Sequence, residues 1–183
     1  MRIHDLMHVS MVNTSYERPL EYRFVWKFLT TLLIMPRKYR RKIKILDVGG
    51  AESRLSKVLA NLDFDVTVID IKEDDYGKAN FVKANILEYD FEPETFDIII
   101  AISTIEHIGL PCYGQDILDP EGDKKAMRKI WKWLKKGGIA IITVPFGKPH
   151  HPPTFERVYD LESLNELLTL DKWEVVAAEC GCA

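Results

Sequence analysis

Residues 43–60 read IKILDVGGAESRLSKVLA. The stretch opens as a β-rich apolar run, passes through two adjacent glycines and continues with apolar residues at helical spacing. Leu55, Val58, Leu59 and Leu62 then share one face of a helix. A backbone turned this sharply between strand and helix usually approaches a ligand, because Gly49 and Gly50 remove the two Cβ atoms that would keep one away.

The elements downstream repeat that plan. DVTVID (65–70) is a second strand ending in an acid, NFVKAN (80–85) a short third, and FDIIIAIS (96–103) an unbroken apolar run suited to a strand buried on both faces. Met127, Ile130, Trp131 and Leu134 mark a helix that KKGG (135–138) should stop, and IAIITVP (139–145) follows as strand five. Asp160 can cap a helix bearing Leu161, Leu164, Leu167 and Leu168, and KWEVVAAE (172–179) is a sixth strand. Upstream, Tyr22, Val25, Phe28, Leu29 and Leu32 predict an amphipathic helix over 19–35 that Pro36 ends. The basic RKYRRKIK that follows reads as a solvated connector.

Alternation this regular predicts one α/β domain over 1–183. It should be a Rossmann-like open, mostly parallel sheet with helices on both faces, and a helical cap at about 1–36. In such sheets ligands sit beyond the carboxyl ends of the strands.

Composition narrows the function classes. A net charge of −3, with 46% hydrophobic and 29% charged residues, gives no pull toward nucleic acid or anionic membrane. The run FVWKFLTTLLIM (24–35) is too short to span a bilayer and carries Lys27. The first residues show no signal-peptide pattern, and three sparse cysteines suit a reducing compartment, so a cytoplasmic location is expected. Cys180 and Cys182 lack a second ligand pair, and His150–His151 lack ligand spacing, so no metal site is expected.

Asp70 lies about twenty residues beyond the glycines, where a carboxylate can accept ribose hydroxyls. That feature alone serves nicotinamide and sulfonium cofactors alike. Glu52 helps to separate them. A pyrophosphate would rest on the helix N-terminus after the glycines, whereas a carboxylate there suits a net cation such as S-adenosylmethionine. Glu52 is also a natural partner for the helix dipole. The GxxxxGK[ST] triphosphate loop does not occur.

Taken in order, ILDVGGAES, the acid of VTVID, FVKANIL, FDIIIAISTIEHI and LKKGGIAIITVP resemble the motifs of the class I S-adenosylmethionine-dependent methyltransferases, of the methyltransferase type 11 kind, over residues 42–145. The resemblance implies that Asp47, Gly49, Gly50, Ala51 and Glu52 form the loop around the cofactor's methionine end, that Asp70 holds the ribose and that Ile71 packs on adenine. It implies further that Asn85 and Ile86 read the adenine edge, with asparagine where aspartate is more usual, and that Ile102 and Ser103 stand near the methionine end.

Two departures stand out. Ala51 occupies a position that is often glycine, and the reversed strand pair that closes the family's sheet has only one candidate here. That would leave the final antiparallel strand missing and a sheet edge open.

Two long connections, 106–123 and 146–159, should lie over the transferred methyl group. They supply His107 as candidate base, and Tyr113, His150, His151, Arg157 and Tyr159 as candidate acceptor contacts. For each of these a plain structural role stands beside the functional one. The expected reaction is methyl transfer to a small-molecule or sugar-like acceptor. The alternatives are a nicotinamide-dependent oxidoreductase and a cofactor-binding partner protein without catalysis. Oligomeric state is not legible.

Overall fold

The computed structural model describes residues 6–13, 17–51, 53–116, 118–149, 155–170 and 173–182. Among the described residues seven strands form one sheet: β1 (Leu6–Asn13), β2 (Lys44–Val48), β3 (Asp65–Asp70), β4 (Asn80–Lys83), β5 (Phe96–Ile102), β6 (Leu134–Pro145) and β7 (Glu174–Cys182). Their order is β4-β3-β2-β5-β6-β1-β7, and every pairing is parallel.

The helices cover both faces, as the alternation predicts. On one face α1 (Glu17–Leu33) and α3 (Leu55–Asn61) place Phe24, Val25, Leu29, Leu55 and Leu59 over Ile45, Ile98, Ile100 and Ile141. On the other, α4 (Gly122–Trp133) and α5 (Leu161–Thr169) place Met127, Ile130, Trp133, Leu164 and Leu167 over Leu46, Ile99, Ala101, Ala140 and Ile142. Successive residues of β5 thus alternate between two cores, which is why its run is apolar throughout. Asp160 caps α5 in a reciprocal box with Ser163. Val58, read onto the buried face of α3, is 41% exposed.

The largest correction is at the N-terminus. Residues 6–13 are not part of a helical cap: they form β1, which enters the sheet between β6 and β7. Leu6 to Val12 pair with Ile139 to Pro145, and Leu6 to Asn13 with Glu174 to Cys182. The described sheet holds only parallel strands, and β1 gives β6 a second neighbour while β7 stands at the edge. The pattern was present in Met7, Val9 and Met11, which alternate with His8 and Ser10 at strand period.

A smaller correction concerns KKGG. The helix ends at Trp133, and Leu134 already pairs with Phe96 before the next pair, Ile98 with Ile139. Lys135 to Gly138 therefore loop out of the strand, with Gly137 at φ +76° and Lys135 bonded to Asp97 Oδ1 at 2.8 Å. The basic connector includes a short helix, α2 (Arg37–Arg40). Arg40 donates to the carbonyls of Leu33, Met35 and Leu62 at the ends of α1 and α3, so it is a helix clamp.

Candidate functional site

A cavity of about 650 Å³ opens at the carboxyl ends of β2, β3, β4 and β5, a size that suits a cofactor-scale ligand. Val48, Gly49 and Ala51 line it after β2, Ile69, Asp70, Ile71 and Lys72 after β3, and Ala84, Asn85 and Ile86 after β4. Ser103, Thr104, His107 and the loop through Gln115 complete the wall after β5, and Arg18 reaches it from α1.

The glycine loop is built from packing outward. Gly49 takes φ +72°, and a Cβ there would stand 2.3 Å from Thr104 Cγ2. A Cβ on Gly50 would stand 2.7 Å from Asp47 Oδ2. Only hydrogen fits at either position. Gly50 and Asp47 do not line the cavity. Asp47 is buried beneath the loop, where its carboxylate accepts from Ser56 Oγ at 2.5 Å. Burial, reinforced by the nearby Asp70 charge and opposed by the Ser56 bond, pushes its pKa up to about 7. Ala51 carries no left-handed strain, since the non-glycine residues of positive φ are Asp63, Glu94, Ser103 and Tyr113 among the described residues.

Asp70 stands where the spacing predicts. Its Oδ2 accepts from Ala51 N and its Oδ1 from Lys72 N, both at 2.8 Å, which ties the glycine loop to the end of β3. Each oxygen retains a lone pair. Asn85 Oδ1 accepts from Leu87 N at 2.9 Å, so one lone pair of that acceptor is used in its own turn. Ile71 and Ile86 add apolar surface on this side. Ile102 does not reach the cavity. It is 4% exposed, packed among the residues beneath α1.

Ser103 adopts φ +43°, a costly conformation for a residue with a side chain, and is held from three directions. Its N–H reaches Thr143 O at 3.2 Å and Thr143 Oγ1 at 2.9 Å, and its hydroxyl donates to Glu21.

On the far wall His107 Nδ1 lies 2.8 Å from Phe155 O, which makes Nδ1 the protonated nitrogen and turns Nε2 into the acceptor. Glu106 Oε1 is 3.9 Å from Nε2, too far for a hydrogen bond. Burial, opposed chiefly by the Phe155 bond, lowers the His107 pKa below its ordinary 6.5. Tyr113 and Phe155 pack on its ring at centroid distances of 5.2 and 4.8 Å. Cys112 also lines the wall, but burial pushes its thiol up and away from thiolate chemistry.

Arg157 and Tyr159, expected as acceptor contacts, are not on the cavity wall. Arg157 is 4% exposed and donates to the carbonyls of Glu106, Ile108, Asp119 and Pro120 at 2.8–3.3 Å. Tyr159 is 3% exposed and donates to Asp123 Oδ2 at 3.0 Å. They clip the neck of the loop whose tip lines the cavity, because a guanidinium presents several donors in one plane. Tyr113 does line the cavity, whereas Glu52, His150 and His151 lie outside the described residues.

Thr104, Lys72, Gly109 and Cys112 were missed as wall residues, since nothing in their spacing separates them from ordinary loop positions. Glu21 was missed as well: it is 1% exposed, where its place on an amphipathic helix gave no signal. Among the described residues no group of three His, Cys, Asp or Glu could hold a metal ion, and no helix is long and apolar enough to cross a membrane.

Comparison with known proteins places the chain by family and by fold. A family model described as "Caenorhabditis protein of unknown function, DUF268" matches residues 51–178. The ubiquinone biosynthesis O-methyltransferase of Rickettsia akari is 29% identical over 116 residues, 58% of this chain and 41% of that protein. Phosphoethanolamine N-methyltransferase 3 of Arabidopsis thaliana is 30% identical over 158 residues, 74% of this chain and 30% of that protein. The chain thus spans less than half the length of these curated relatives. The structure of 1,6-didemethyltoxoflavin-N1-methyltransferase from Burkholderia thailandensis, with 1,6-didemethyltoxoflavin and S-adenosylhomocysteine bound, aligns with a TM-score of 0.54 at 19% identity. That alignment covers 84% of this chain and 76% of that one, a likeness of fold. The chain belongs to the DUF268 family and carries the fold of the class I S-adenosylmethionine-dependent methyltransferases.

Proposed function

We propose that this chain binds S-adenosylmethionine in the strand-end cavity and transfers its methyl group to a small-molecule or sugar-like acceptor. The observation that carries this reading is the pairing of two features across one cavity: the Asp70 carboxylate at the β3 end, and His107 with Nε2 as acceptor on the far wall. The residues fit the cofactor. Asp70 has lone pairs left for two ribose hydroxyls, Ile71 and Ile86 offer apolar surface to adenine, and Arg18 supplies a cation for the methionine carboxylate. When bound, the cofactor supplies an electrophilic methyl on a sulfonium.

This chain's contribution is alignment, shielding and one proton. His107, tethered through Nδ1 to Phe155 O, can take a proton at Nε2 from an acceptor hydroxyl or ammonium. Its lowered pKa keeps it neutral, and so able to accept, at neutral pH. The neck clipped by Arg157 holds the loop that shields the wall. Similarity to a ubiquinone biosynthesis O-methyltransferase and a phosphoethanolamine N-methyltransferase supports a small-molecule acceptor, without naming this one.

Thermal unfolding with S-adenosylhomocysteine and NAD in parallel tests the reading. At about a hundred times its Kd a ligand stabilises by about 2.7 kcal/mol, a rise of about 5–10 °C for a chain of this size. A rise with S-adenosylhomocysteine alone supports the proposal. A rise with NAD alone replaces it with a dinucleotide oxidoreductase.

A further inference from the structure

Glu21 is a charged side chain in a place that rarely holds one. It sits on α1, 1% exposed, one turn before the core residues Phe24 and Val25. Its Oε1 accepts from Thr143 Oγ1 at 2.5 Å and from Ser103 Oγ, while its Oε2 is buried with no hydrogen-bond partner among the described residues. A buried carboxylate with one oxygen unsatisfied is costly, and such a group calls for an explanation.

Holding Ser103 explains half of it. The hydroxyl bond and the shared Thr143 contact keep Ser103 in its left-handed conformation, but they use only Oε1. Among the described residues no ion pair to Glu21 is found, although two cations, Arg18 and Lys72, line the cavity. Glu21 does not itself line the cavity, but it is bonded to Ser103, which does.

We infer that Glu21 is a positioning residue whose buried charge makes the site prefer the sulfonium cofactor over the thioether left after methyl transfer. The inference rests on the cofactor reading above. With the ribose at Asp70, the methionine half of the ligand extends toward Ser103 and brings two cationic groups, the sulfonium and the ammonium. In the reaction an acceptor lone pair forms the new bond to the methyl carbon, and the carbon–sulfur pair stays on sulfur. One positive charge leaves the cofactor. In a water-poor site a fixed carboxylate attracts the charged form more than the neutral one. The same device that holds the donor therefore favours release of the spent product.

Calorimetry with S-adenosylmethionine, sinefungin (which carries an ammonium where the sulfonium stands) and S-adenosylhomocysteine tests this. Wild type should bind the two cationic ligands about tenfold more tightly than S-adenosylhomocysteine, the effect of one favourable charge contact. In Glu21→Gln, S-adenosylmethionine and sinefungin should each weaken by about tenfold while S-adenosylhomocysteine changes by less than about threefold. Thr143→Val, which removes a hydrogen bond but keeps the charge, should weaken all three together. Equal loss of all three ligands in Glu21→Gln would reduce Glu21 to a structural tie and overturn the inference. Should that variant fail to fold, the wild-type ratio decides, and equal or tighter binding of S-adenosylhomocysteine overturns it. If wild type binds none of the three, the cofactor reading falls first and this inference with it.

Discussion

The ring of His107 is fixed by the main chain of Phe155: Nδ1 stands 2.8 Å from that carbonyl oxygen, 48 residues along the chain. The bond selects a tautomer by joining the two long connections that follow β5 and β6. If Nε2 is the base, His107→Gln should lower kcat/KM for a hydroxyl or ammonium acceptor by about 10²–10⁴-fold and leave the Kd for S-adenosylhomocysteine nearly unchanged. Steady-state kinetics beside calorimetry checks both. Because burial lowers this pKa, the acid limb of the rate profile should fall below pH 6.5.

Gly49 and Thr104 share one space. Gly49→Ala adds a Cβ 2.3 Å from Thr104 Cγ2 and places it at φ +72°, so urea unfolding should show a loss of about 2–4 kcal/mol. Adding Thr104→Ser removes that methyl and should recover part of the loss, leaving the backbone strain. A double-mutant cycle with coupling below about 0.5 kcal/mol would mean the loop relaxes around the clash.

Asp47 should make stability fall as pH rises. Its carboxyl is lifted from 3.8 to about 7 in the folded chain, so between those values the native state holds the proton that the unfolded state has released. The contribution is whole below pH 3.8 and is lost as pH climbs through about 7; it is on the order of 4 kcal/mol. Asp47→Asn should flatten that part of the profile, measured by urea midpoints from pH 4 to 9.

Arg157→Lys should destabilise the fold by about 3–5 kcal/mol, because an ammonium cannot reach four carbonyls at once and leaves a buried charge poorly served. Hydrogen exchange should speed up first at Ile108 to Asp119, the neck it clips. Loss of acceptor affinity at unchanged stability would instead restore the expected role as an acceptor contact.

Asp70→Ala should weaken cofactor binding by about 1.5–3 kcal/mol, the usual range for hydrogen bonds to a charged group. It should also cost stability, since the carboxylate ties Ala51 N and Lys72 N to the end of β3. Isothermal titration and thermal unfolding separate the two effects.

What the sequence determined by itself was the alternation and the strand ends. A strand buried on both faces must be apolar at every position, so FDIIIAIS was readable as β5, and a turn that admits no Cβ must be glycine, so Gly49 and Gly50 were readable as the loop. Asp160 announced the start of α5 because a cap is a local bond, closed within three residues. What only the tertiary structure decided was the work of polar residues whose partners lie far along the chain. Arg157 proved to be a clip because carbonyls 37–51 residues away converge on it. Glu21 is buried because Ser103 and Thr143, 82 and 122 residues downstream, meet it. The seat of β1 between β6 and β7 is the same kind of fact. Its alternating residues identify a strand, but which neighbours it takes depends on an open slot in a sheet built from the rest of the chain.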